Sequence, residues 1–234
     1  MRLKRYNFLL LLALWISLGS CDSYLTVDIP DQLLHKNYWK SRDHLDAGLN
    51  GVYSSLRTCI NYFIVWEDLR SNIYDVEPGS GSNCLGLVIQ DIRTTNYLSD
   101  WSEVYKAINI ANSFLKNAHL VPENDFSVSM TEVESMKAEV YAIRALCYFY
   151  LVRAFEDVPY RDQPYDSGTE FPYAPARPRD EVLDLIEKDL ELALKEAPDG
   201  FESPEKDKGR ISKNAVKAIW ADVKLWRGGE QNYL

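Results

Sequence analysis

Glu139-Val-Tyr-Ala-Ile-Arg-Ala-Leu-Cys-Tyr-Phe-Tyr-Leu-Val-Arg-Ala-Phe155, followed at once by Glu156-Asp157-Val158-Pro159, decides the fold. From Ala138 to Phe155 apolar and aromatic groups occupy almost every face of the helix this stretch predicts, and Arg144 and Arg153 are its only basic interruptions. A helix that is apolar all round is buried all round, which places this one at the centre of a larger helical assembly. The two arginines are expected to line the core with their stems while their guanidinium groups pair with acids such as Glu139 or Asp157. Cys147 and the run Tyr148-Phe149-Tyr150 read as core for the same reason.

Outward from this centre, four further helical segments are legible. Ser41 caps the first, with Leu45, Leu49, Val52, Tyr53, Leu56 and Ile60 at three- and four-residue spacing. Ser99 or Asp100 starts the second, with Trp101, Val104, Tyr105, Ile108 and Leu115 inward. Thr131-x-x-Glu134 predicts a capping box for the central helix, and Asp180 after Pro178 a cap for the next, which carries Val182, Leu185, Ile186, Leu190 and Leu194. Ser212 caps the last, through Val216, Ile219, Trp220, Val223 and Leu225, closed by Gly228-Gly229. No segment shows sustained alternation, so the fold class is all-α, with long irregular loops over Asn61–Leu98, holding at most a short helix near Phe63–Leu69, and over Glu156–Arg179, where five prolines exclude a long helix.

Met1–Ser20 stands apart from the fold. Arg2, Lys4 and Arg5 precede an apolar run from Phe8 to Leu18, the layout of a secretory signal peptide and too short for a membrane span. Leu18-Gly19-Ser20-Cys21 looks like a bacterial lipobox, with Cys21 as the lipidated residue; the plainer alternative is an ordinary cleavage site before a chance cysteine. Two or more acyl chains on Cys21 would anchor residues 21–234 to a membrane without spanning it. Removing the three basic residues of the leader takes the formal charge from −9 to −12, which argues against nucleic-acid partners. With 46% hydrophobic and 12% aromatic residues the chain is not a disordered one. Cys59 and Cys84 are open to pairing in an oxidising compartment, although no spacing rule supports it.

The central helix resembles the signature helix of the SusD/RagB family of Bacteroidetes nutrient-uptake lipoproteins. The likeness extends to Leu45-Asp-Ala-Gly-Leu-Asn-Gly-Val-Tyr53, to Trp101-x-x-Val-Tyr-Lys-Ala-Ile-Asn-x-Ala-Asn112, to Arg179-Asp-Glu-Val182 with Ile186 and Asp189-Leu190, and to Gly209-Arg-Ile-Ser-Lys213, all in family order. The resemblance implies tetratricopeptide-like helical hairpins and a lipid-anchored place on the outer membrane, facing outside. It further implies capture of a nutrient, in the first place a glycan, for a TonB-dependent (SusC-like) β-barrel transporter, with no catalysis and no cofactor. Only the N-terminal half of the family pattern is matched, so the chain reads as ending early, with Trp220, Val223 and Trp226 lacking a partner helix.

For glycan binding the useful groups are loop aromatics beside amides and carboxylates. Trp66, Tyr74 and Tyr97, with Asn72, Asp75 and Asn83, fit that description. Trp66 and Tyr97 have the plainer alternative of pinning the loop to the helices, and Tyr160, Tyr165 and Tyr173 form a second aromatic face. His35, His44 and His119 are dispersed, and no nucleophile elbow, zinc motif or phosphate loop occurs. Asp184 and Glu187 are expected on the solvent side of a helix, with Lys188 pairing Asp184. The rival reading is a lipid-anchored helical-repeat scaffold that binds protein and no small ligand.

Overall fold

The computed structural model describes residues 38–71, 76–77, 79, 81–165 and 173–228; Cys21 and the leader lie outside them. In chain order the helices are α1 (Arg42–Asp68), α2 (Ser82–Val88), α3 (Ser102–Asn117), α4 (Val121–Asn124), α5 (Met130–Phe155), α6 (Arg179–Glu196), α7 (Pro204–Gly209) and α8 (Lys213–Gly228), with 3-10 turns at Tyr97–Ser99 and Ala118–Leu120. The strands β1 (Val158–Pro159) and β2 (Ala176–Arg177) form one small antiparallel ladder. It closes the base of the proline-rich loop and leaves the all-α class intact.

α5 is the axis of the bundle, packed against α6, α3, α1 and α8. Val140, Ile143, Tyr148, Phe149, Leu151 and Val152 are all fully enclosed, as an all-round apolar helix requires. Ser129, not Thr131, caps it: its backbone is extended and its hydroxyl accepts from Glu132 N–H at 3.1 Å. Glu132 cannot complete a capping box, because both its carboxylate oxygens receive the Arg42 guanidinium, at 2.7 and 2.8 Å. Glu134 pairs instead with Lys137.

α1 is capped by Ser41 and runs unbroken for 27 residues, well past the expected end near Ile60. Nothing in Asn61-Tyr62 breaks a helix, and the inward stripe passes from Val52 to Cys59, Phe63 and Trp66 while Ile60 turns out. Gly48 marks the closest approach in this layer. A Cβ there would lie 2.7 Å from the Trp39 ring and 3.2 Å from that of Phe114 on α3. Cys59 and Cys84 are free thiols. The Cys59 thiol donates to the Ser55 carbonyl at 3.3 Å, and burial pushes its pKa up to about 11, so it is an inert core group.

The remaining caps are borrowed across short gaps. Before α3, the Asp100 carboxylate accepts from the Ser102 N–H. α6 opens at Arg179 behind Pro178, which has no side-chain cap to give, and the Arg179 N–H donates to Asp157 at 2.9 Å. Asp180, expected as the cap, sits in the first turn, where its charge favours the helix dipole.

Both buried arginine expectations hold in kind and fail in partner. Arg144 forms a two-pronged pair with Asp189 of α6, at 2.7 and 2.8 Å, and its third edge donates to Asn112 of α3 at 2.7 Å. Glu139, completely buried, receives Arg210 on both oxygens and the Tyr53 hydroxyl at 2.5 Å. That hydroxyl in turn accepts from the Ile211 N–H, tying the loop before α8 to α1 and α5. Glu139 and Arg144, five residues apart, point about 140° away from each other around α5, so each meets a different neighbour.

α8 does find neighbours. Val223 is fully buried, Trp226 meets Phe149 edge-on at 6.0 Å, and Lys224 and Arg227 clamp Glu187 and Asp184 of α6. The acids expected to face solvent beside Lys188 are therefore the docking points for α8. Trp220 is half-buried with its indole N–H enclosed and unpaired.

Candidate functional site

The C-terminal turns of α1 and α5 lie side by side and carry a run of aromatic rings. Phe63 stacks on Tyr150 with ring centroids 3.9 Å apart and planes 3° from parallel. Trp66 meets Phe155 edge-on at 5.0 Å, and Phe155 meets Trp101 in the same way at the same distance. The Trp66 indole N–H donates to the Leu98 carbonyl at 2.6 Å, so this ring also holds down the end of the long loop. Asn96 fixes that loop further: its amide donates to the Asn83 carbonyl and its oxygen accepts from the Leu98 N–H.

Between these turns, the segment after α2 and the last turn of α8 lies a cleft of about 480 Å³. Trp66, Tyr150 and Trp226 supply its aromatic surfaces, and Ile92 and Ala154 add aliphatic ones. Glu67, Arg70, Ser71, Gln90 and Arg153 supply its polar edges. Gln90 stands there on a left-handed backbone, φ 58°, a conformation uncommon outside glycine.

The charges of the cleft are largely paired. Arg153 forms an ion pair with Glu67, reaches Asp222 of α8 at 3.4 Å, and lies over the Phe149 and Tyr150 rings at 5.1 and 5.9 Å. Burial holds the Glu67 carboxyl above its ordinary pKa, opposed by Arg153 and reinforced by Asp222 and Asp68. Burial likewise raises the Tyr150 hydroxyl, and Glu67 adds to it. Arg70 donates one N–H to the Ala154 carbonyl at 3.0 Å. Such a surface can stack on the apolar face of a ring and hydrogen-bond hydroxyls at its rim.

Of the residues the sequence singles out, Trp66 lines the cleft, nearly buried beneath it. Tyr97, 60% exposed, stands at the start of the 3-10 turn, and Asn83 is half-buried on α2. Neither lines the cleft. Asn72, Tyr74 and Asp75 lie outside the described residues. The sequence reading missed Tyr150, Arg153, Glu67, Arg70, Gln90 and Trp226. One signal was available for Trp226, an aromatic with no evident partner. Tyr150 sits inside a run that reads as core, and Arg70 carries no pattern at all.

The second aromatic segment takes a different form. Tyr160 stacks on Tyr148 at 4.5 Å, and burial pushes its hydroxyl up to about 12. The backbone from 159 to 165 is held by side chains of α3 and α5. Tyr105 donates to the Pro159 carbonyl, Tyr148 bonds both N–H and carbonyl of Arg161, Asn112 donates to the carbonyls of Arg161 and Gln163, and Asn109 bonds both backbone groups of Tyr165.

Among the described residues no group of three or more His, Cys, Asp or Glu side chains is placed to hold a metal ion, and no helix is long and apolar enough to cross a membrane.

Residues 30–225 match a family model, SusD-like, described as starch-binding and associating with the outer membrane. A SusD-like protein P25 of Formosa agariphila is 27% identical over 246 residues, spanning 97% of this chain and 45% of that protein. A SusD superfamily protein of Bacteroides thetaiotaomicron superposes with a TM-score of 0.74 at 27% identity, over 81% of this chain and 45% of the other. A laminarin-binding SusD-like protein superposes with a TM-score of 0.69, also at 27% identity, over 82% of this chain and 42% of the other. The chain thus spans a little under half the length of the relatives it matches. A central helix buried on every side, the helices packed around it in family order and a match over most of the sequence lead to one assignment: the chain belongs to the SusD-like family.

Proposed function

We propose that this protein is a lipoprotein of the outer membrane, anchored through Cys21 and facing outside, that captures a glycan and delivers it to a TonB-dependent β-barrel transporter. No bond is broken in this role; binding and release do the work. The observation that carries the reading is an aromatic cleft with polar edges in a protein of a glycan-binding family, one of whose solved relatives binds laminarin. Trp226 and Tyr150 offer faces for sugar rings, and Gln90, Ser71 and Arg70 offer edges for hydroxyls. Tyr97 and Asn83, and on the sequence alone Asn72, Tyr74 and Asp75, stand as further candidate ligand residues.

The rival scaffold role draws on Phe126, 93% exposed, and Tyr173, 89% exposed, which offer apolar anchors to a protein partner. Affinity electrophoresis of the full chain through gels carrying neutral and acidic polysaccharides separates the two. Retardation that is lost in Trp226→Ala at unchanged melting temperature supports glycan capture. Migration unaffected by every polysaccharide, together with a β-barrel partner lost on Phe126→Asp, supports the scaffold and sinks the first reading.

A further inference from the structure

Most charges around the cleft are neutralised in place. Arg153 is matched by Glu67 and Asp222. Arg70 is different: among the described residues it meets no carboxylate, and its single hydrogen bond is to a backbone carbonyl, that of Ala154. A guanidinium carries five N–H donors, so this bond fixes one edge and leaves the rest open. Arg70 is exposed at the cleft and yet held by that bond. On a chain of formal charge −9, an arginine without a counterion runs against the prevailing sign.

Glu67 is the one carboxylate lining the cleft, and its ion pair with Arg153 offsets its repulsion of an anion. Glu67 and Asp222 are both engaged by Arg153, so Arg70 is the cation at the cleft that no described carboxylate meets. The planar guanidinium matches the two oxygens of a carboxylate better than it matches single hydroxyls. Beside it, the Gln90 amide has no protein partner among the described residues, and the Trp226 and Tyr150 rings supply the surface on which a pyranose can rest.

Resting on the glycan-capture reading above, we infer that the cleft takes an acidic saccharide, a uronate, with Arg70 receiving its carboxylate. A neutral sugar would stack on the same rings and offer the guanidinium only a hydroxyl, with no charge to answer it.

The test is calorimetry on the full chain in detergent, with oligogalacturonate and oligomannuronate set against neutral α- and β-glucan oligomers of equal length. The uronates are expected to bind more tightly by about tenfold or more, the scale of a charge-assisted hydrogen bond. Arg70→Gln removes that margin, lowering uronate affinity about tenfold and neutral affinity by a smaller factor, Arg70→Lys keeps part of it, and added salt narrows it. Trp226→Ala weakens both classes alike. Equal affinity for acidic and neutral oligomers, or an Arg70→Gln loss equal for both, overturns the uronate preference and leaves glycan capture standing. Binding of neither class by a chain with a normal melting transition overturns both.

Discussion

The two halves of α5 have nearly the same composition and opposite fates. From Val133 to Phe149 the helix is enclosed by α1, α3 and α6, and its two buried charges, Glu139 and Arg144, are internal struts. From Tyr150 to Phe155, Leu151 and Val152 stay enclosed, while Tyr150, Ala154 and Phe155 are part-exposed and Arg153 reaches towards solvent beside an open cleft. Burial is thus set by which neighbours stop where. α1 ends at Asp68 beside the last turns of α5, and the cleft lies between these turns and α8.

The sharpest way to break this comparison is to remove a strut. Arg144→Met leaves Asp189 buried without its partner, and burial already pushes that carboxyl up in pKa. A destabilisation of about 3–5 kcal/mol is expected in chemical denaturation. Arg153→Met, in the open half, should cost about 1 kcal/mol or less, because its pair is part-exposed and screened. Equal losses for the two arginines would mean that the halves do not differ as described.

A neighbouring pair sharpens the contrast. Leu151 is fully enclosed, and Leu151→Ala should lower stability by about 2–5 kcal/mol. Tyr150→Ala gives up chiefly its stacking on Phe63, about 0.5–1.5 kcal/mol beyond the area lost, while polysaccharide retardation should disappear. One residue along the helix, the effect passes from stability to binding.

Smaller effects come from packing at the other end of the molecule. Gly48→Ala must push the Trp39 ring aside, costing about 1–3 kcal/mol in thermal or urea unfolding and leaving glycan binding alone. Smallest of all is an acid effect at the start of the bundle. Hydrogen bonds from the Ser127 hydroxyl, the Arg42 N–H and the Ser127 N–H hold the Asp125 carboxyl below its ordinary pKa. A depressed carboxyl contributes its stability above the unfolded-state pKa and loses it as pH falls through the folded one. Asp125→Asn should therefore lower the melting temperature slightly near neutrality, and the difference should vanish as the pH falls below about 4 and the native carboxyl takes up its own proton.

The fold was largely legible because its signal is local and redundant. Leu45, Leu49, Val52, Val104, Ile108, Val182 and Ile186 repeat at helical spacing, and each lies inside. What sequence could not show was partnership across elements. Arg144 finds Asp189, Glu139 finds Arg210, and Asp184 finds Arg227 at separations of 45, 71 and 43 residues, and no spacing rule reaches that far. Two caps were misassigned: Ser129 stands two residues before Thr131, and Asp157 reaches the start of α6 from 22 residues upstream. The cleft was least legible, since it is built from the ends of helices and ends are where periodicity carries no information.

One feature of the core reaches beyond binding. The segment from Pro159 to Tyr165 is fastened by its peptide groups to tyrosines and asparagines of α3 and α5, and only Tyr160 among its own side chains stacks inward on that surface. Its path is thereby decoupled from most of its lettering. Asp162 and Gln163, both exposed, can diverge between species or be rewritten by design while the track beneath them stays put. The four fastening residues, not the loop, are where variation should be scarce.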